Sequence, residues 1–225
     1  MSQYRRPLFV GNWKMNCLKK DGLKLAQTLA NGMKKIPEPD FDLVICPQFT
    51  LLSAIETIIS NSNIKLGAQN CHEIEDYGPF TGSISPKMLK ELGCKFVILG
   101  HSENRTSGES DHVINKKIRS ALNKNLKIIF CIGETLKEKR KKLTHSILKK
   151  QINRGLKGVK NFQNILIAYE PVWSIGTGII PKDEELKTNV RKIIKLTSKI
   201  TKIKLPILYG GSVNSKNISS LKNII

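Results

Sequence analysis

Aromatic residues are scarce in this chain, at 6% of 225 residues. The many lysines therefore stand without the interleaved aromatics expected of a nucleic-acid reader. Acidic residues are also few, 18 against 38 Lys and Arg, which leaves a net charge of +20. Lys, Asn and Ile are abundant throughout, so the charge reads as a bias of the whole composition, and a positive surface of this kind attracts small anions. Cysteines number five, an odd count, and no two form a C-x-x-C pair. That argues against a disulfide framework or a zinc site and for a reducing, cytoplasmic setting. The four histidines are equally scattered, which argues against a metal centre. No long apolar run opens the chain, so neither a signal peptide nor a membrane span is expected.

What is present is a soluble α/β pattern. The hydrophobic share is 40%, enough for one large domain with a sizeable core. Short apolar runs at Leu8–Val10, Leu43–Cys46, Lys65–Ala68, Phe96–Leu99, Lys127–Cys131, Ile165–Ala168 and Leu205–Leu208 read as buried strands. Helical stretches follow them near Leu18–Lys35, Thr50–Ser60, Pro86–Leu92, Asp111–Lys124, Thr135–Gly155, Lys182–Thr201 and Ser215–Asn223. Strict alternation means a parallel sheet covered by helices, either an open doubly wound sheet or a (β/α) barrel. No G-x-G-x-x-G follows a strand, which counts against the dinucleotide-binding open sheet.

Chemistry gathers at the strand ends. Ile165–Gly178, ILIAYEPVWSIGTG, runs from a strand into Glu170, then Pro171, then an apolar stretch with Trp173, then Gly176 and Gly178. An acid at the carboxyl end of a buried strand sits where α/β folds build sites. Rigid Pro and permissive Gly read as hinges of a flap that excludes water. The bland alternative is a surface acid and an ordinary turn. After the first strand, GNWKMN places Asn12 and Lys14 two apart, on one face of an extended backbone. After the fourth, GHSENR offers His101 as an acid-base group, with Glu103 behind it. Cys131 in CIGE reads as a packing thiol. YGGSV, with Ser212, offers backbone N–H groups to a phosphate, or is simply a tight turn. Between Gln69-Asn70 and the third helix lies a loop of about fifteen residues, long enough to suggest function. Its Tyr77 and Phe80 call for a cover, either a partner subunit or the loop itself.

GNWKMN, GAQN, GHSE, CIGE, AYEPVWSIGTG and YGGSV, in this order, resemble triosephosphate isomerase from residue 11 to 213. The resemblance implies a (β/α)8 barrel with only seven β/α units in this chain. It also implies one domain over 1–225 that is incomplete at its C-terminus, without the eighth strand, its Gly-Gly phosphate loop and the last helix. The implied reaction interconverts dihydroxyacetone phosphate and glyceraldehyde 3-phosphate through an enediolate, without cofactor or metal. By resemblance Glu170 is the base, His101 the neutral electrophile, Lys14 the stabilising cation and Asn12 its polar neighbour. Gly176 and Ser212 match phosphate contacts, Glu103 the acid near the lysine, and Thr81 the loop that reaches across a homodimer. One departure is Asn104, where the family usually has a second Arg; the segment to Gly108-Glu109 is also slightly short. The alternatives are a non-catalytic remnant acting as a binding protein, and a basic nucleic-acid-binding protein.

Overall fold

A computed structural model describes residues 6–222 of the chain. Among them seven strands alternate with helices, and each strand's neighbour in the sheet is its neighbour in the chain. The chain divides into two compact units.

One unit comprises the chain up to Leu99 and Ser120–Ile128. It holds β1 (Leu8–Asn12), α1 (Lys19–Lys34), β2 (Asp42–Cys46), α2 (Leu52–Ile59), β3 (Ile64–Ala68), α3 (Pro86–Glu91) and β4 (Phe96–Leu99). The strands pair in parallel, with Val10 opposite Val44, Ile45 opposite Leu66 and Ala68 opposite Val97. Their β-branched and aliphatic side chains meet a helix layer whose inner residues are small on α1 (Ala26, Ala30) and large on α2 (Leu52, Ile55, Ile59). Ser85 caps α3, accepting from Met88 N, with Pro86 in the first turn, as the Ser-Pro pair predicts.

The other unit comprises Gly100–Arg119 and the chain from Ile129 onward. It contains α4 (Ser102–Thr106), the start of α5 (Asp111–Asn123) and most of β5 (Lys127–Ile132). After these come α6 (Leu136–Arg140), α7 (Thr144–Gly155), β6 (Ile165–Tyr169), α8 (Asp183–Thr201), β7 (Ile207–Tyr209) and α9 (Ile218–Lys222). All five residues of β6 are buried, which is why they alternate no polar residue. β6 pairs in parallel with β7, Ile167 opposite Ile207. Glu170 N donates to Ile132 O at 2.8 Å and ties β6 to the end of β5.

Several expectations shift. The single helix read over Thr135–Gly155 is two, broken where Lys142 takes a left-handed backbone (φ 58°). A capping box between Thr135 and Glu138 starts the first of them. Ser102–Thr106 is helical, and Val172–Ser174 forms a 3₁₀ turn; neither was legible as an element, both being too short for an apolar periodicity to repeat. The seventh strand starts at Ile207, just past Pro206, which lacks an N–H for the ladder. The last helix runs Ile218–Lys222, and Asn223, its expected end, lies outside the described residues. No helix among the described residues is long and apolar enough to cross a membrane.

Candidate active site

Glu170 stands one residue past β6 and is 6% exposed. Two glycines make room for it. A Cβ on Gly133 would lie 1.7 Å from Glu170 O, and one on Gly210 would lie 2.5 Å from Glu170 Cγ. The ends of β5 and β7 thus close on the acid from two sides, and only backbone fits there.

His101 follows Gly100 at the end of β4 and is equally buried, at 6%. It caps α4: its Nδ1 accepts from Glu103 N at 3.3 Å. A ring nitrogen that accepts carries no proton, so the neutral ring holds its proton on Nε2. That Nε2 lies 3.7 Å from Glu170 Oε1, too far for a direct hydrogen bond and close enough for both groups to act on one small molecule. Glu103 also brings a carboxylate oxygen to 3.6 Å from Nδ1 while remaining mostly solvent-facing.

Behind this pair lie groups whose roles the sequence did not reveal. Arg105 donates to Gly100 O (2.7 Å), Cys131 O (3.1 Å) and Asp111 Oδ1 (2.6 Å), bracing the strand end that carries His101. Two of its acceptors are five and six residues away and the third, Cys131, is 26 away, so no helical or strand spacing flags it. Glu134 is fully buried and accepts from Trp173 Nε1 (2.9 Å) and Tyr169 OH (3.2 Å). Burial pushes the Glu134 carboxyl above its usual range, against the lowering effect of these donors. Asn189 donates to Tyr169 OH at 2.9 Å, and burial pushes that phenol up as well. Cys131 is itself buried within β5, as a packing thiol should be.

The loop after Glu170 is anchored, not loose. Trp173 is held by Glu134 and covered by Lys139, whose Nζ is 3.5 Å from the ring centroid. Gly176 and Gly178 both take left-handed backbone. Gly178 N donates to Ser212 Oγ at 3.2 Å, and Ser212 Oγ donates to Ser174 O at 2.6 Å. Ser174, fully buried, shares a hydrogen bond with Tyr209 OH at 2.9 Å and donates to Ile179 O. Ser212 is thus brought to the flap, with Gly176 at the exposed turn beside it.

Asn12 and Lys14 belong to the other unit. β1 ends at Asn12, and Lys14 adopts φ 53°, so the extended backbone expected here does not continue to Lys14. Asn12 Oδ1 accepts from Lys14 N (3.0 Å), and Gln69 Nε2 donates to Lys14 O (2.8 Å) and to Cys46 O (2.9 Å). A left-handed lysine costs about 1–3 kcal/mol and persists where surrounding bonds hold it, a mark common at functional sites. The long loop around exposed Thr81 folds partly on itself: His72 N donates to Ile84 O, and the His72 and Phe80 rings lie 4.4 Å apart. Tyr77 there remains 71% exposed. Among the described residues no group of three His, Cys, Asp or Glu side chains is placed to hold a metal ion.

A buried carboxylate facing a neutral imidazole at the carboxyl ends of parallel strands, beside a loop anchored through Trp173 and Ser212, defines an α/β enzyme of proton transfer. Residues 7–224 match the family model for triosephosphate isomerase. The triosephosphate isomerase of Alkaliphilus oremlandii is 40% identical over 226 residues, covering 97% of this chain and 90% of its own. That of Carboxydothermus hydrogenoformans is 42% identical over 224 residues, 96% and 88% of the two chains. That of Borrelia garinii is 42% identical over 227 residues, 97% and 89%. The chain belongs to the triosephosphate isomerase family: it is an isomerase of the (β/α)-barrel class, with seven β/α units among its described residues.

Proposed function

We infer that this chain interconverts dihydroxyacetone phosphate and D-glyceraldehyde 3-phosphate by proton transfer. The observation that carries the reading is the buried Glu170 carboxylate 3.7 Å from Nε2 of a histidine whose Nδ1 is committed as an acceptor. Glu170 takes a proton from the carbon next to the carbonyl. The bonding pair moves toward the carbonyl oxygen, which His101 meets with its Nε2–H. The resulting enediolate collapses when Glu170 returns the proton to the neighbouring carbon, while His101 shuttles the hydroxyl proton between the two oxygens. Triosephosphate isomerase is itself the standard illustration of a carboxylate base paired with a neutral imidazole, so these roles are carried over from the family.

The family motif also assigns Lys14 and Asn12 to the developing negative charge and the substrate, and Gly176 and Ser212 to the phosphate. Glu103 serves as the acid associated with the lysine, and Cys131 supports the fifth strand. No cofactor or metal is needed, since base, electrophile and water exclusion are all supplied by side chains. The family match runs without a break through both units, which supports one barrel domain over the chain. By analogy with the family, the reaction would serve glycolysis and gluconeogenesis in the cytoplasm. A homodimer formed through the loop around Thr81 would cover the exposed Tyr77. The test is an assay of the purified chain with each triose phosphate, coupled to a dehydrogenase specific for the product. Turnover in both directions is expected; a folded protein silent in both rejects the reading.

A further inference from the structure

The charge of this chain is unevenly placed. Residues 135–225 carry 20 Lys and Arg against 5 Asp and Glu, a net of +15 out of +20. No acid stands between Lys139 and Tyr169, and none from Leu186 to Ile225. Eight of these 20 cations fall on α7 and α8, which pack against each other in one unit.

Each helix turns its apolar row inward: Leu148 and Ile152 on α7, Leu186, Val190 and Ile193 on α8. The exposed row of α8 is Arg191, Lys195 and Lys199, spaced four apart and therefore stacked on one face. On α7 the exposed row is Lys150 and Arg154, with Lys157 just beyond the helix end. Each of these two neighbouring helices thus carries a row of cations, and the carboxylates of α8 (Asp183, Glu184 and Glu185) are confined to its first turn, ahead of the row.

We propose that the outer face of α7 and α8 is a docking surface for the phosphodiester backbone of double-helical nucleic acid, bound without reading of base sequence. Rows of Lys and Arg match a regular line of phosphates, and counterion release drives the association. Neither helix carries a Phe, Tyr or Trp, so the face lacks the large rings on which successive unpaired bases stack. For the same reason it lacks the apolar and aromatic wedge by which a surface helix enters a lipid headgroup layer. The surface is separate from Glu170 and His101, and its use does not depend on the isomerase chemistry.

The test measures binding of the full chain to two unrelated DNA duplexes of about 20 base pairs between about 50 and 200 mM salt. One variant combines Arg154→Gln, Lys157→Gln, Arg191→Gln and Lys195→Gln. A control removes the same charge from exposed positions at α1, Lys20→Gln, Lys24→Gln, Lys34→Gln and Lys35→Gln. Circular dichroism and urea midpoints show that both variants are folded. Both duplexes should bind alike, and the log–log salt slope should drop by about 3–4 in the first variant and by less than about 1 in the control. Equal losses in the two variants would mean that net charge alone is responsible, and would overturn the site. So would absence of binding at low salt, or tighter binding to phosphatidylserine vesicles than to duplex.

Discussion

Nε2 of His101 lies 3.7 Å from Oε1 of Glu170, with both side chains buried. The spacing is set from behind, because Glu103 N occupies the other ring nitrogen and the ends of β5 and β7 confine the acid. His101→Gln keeps a donor of the wrong reach. It should lower kcat by about 10²-fold with little change in KM, as for loss of a group acting only on the transition state. A fall in affinity at unchanged kcat would instead make His101 a binding group.

Gly210→Ala probes the confinement of Glu170 directly. Its Cβ would fall 2.5 Å from Glu170 Cγ, so the carboxylate must move. A displacement of about 1 Å costs on the order of 10²-fold in turnover. Steady-state kinetics alongside circular dichroism would check this. Full activity in the variant would show that Glu170 tolerates displacement and is not held for catalysis by this glycine.

Arg105→Ala should cost about 3 kcal/mol in urea unfolding, because it leaves Asp111, 11% exposed, without its guanidinium and two carbonyls without their donor. Since Gly100 precedes His101, kcat should fall as well. A loss below about 0.5 kcal/mol would place Arg105 among ordinary surface pairs.

Glu134 gives a pH signature. Burial raises its pKa in the folded state, so between the unfolded value near 4.5 and that raised value the folded protein holds the extra proton. Stability from this group is therefore lost as pH rises through that window. Glu134→Gln keeps an acceptor for Trp173 and cannot ionise. Its urea midpoint should gain on the wild type as pH rises from about 4.5 to 7. Parallel pH profiles for the two proteins would contradict the assignment.

The strands were legible because their apolar runs are continuous: β6 is ILIAY, buried at every residue. Helix starts with a chemical mark, such as Ser85-Pro86, were legible too. The break at Lys142 was not, since nothing in RKKLTH distinguishes a left-handed lysine from a helical one. Of the site, Glu170 and His101 could be found from strand ends and motif. Arg105, Glu134 and Gln69 could not, because their partners (Cys131, Trp173 and Lys14) are brought to them only by folding. The turn that bends the chain at Lys14 is likewise set by side chains of Asn12 and Gln69, outside any backbone periodicity.

The most direct measurement is deuterium uptake into dihydroxyacetone phosphate in D₂O, followed by NMR, for the wild type and for Glu170→Asp. The wild type should exchange the carbon-bound proton and form glyceraldehyde 3-phosphate. The shorter Asp should slow both processes together, by about 10²-fold, because its carboxylate is drawn back from the carbon it must reach. Exchange at the wild-type rate in a folded Glu170→Asp protein would contradict Glu170 as the base.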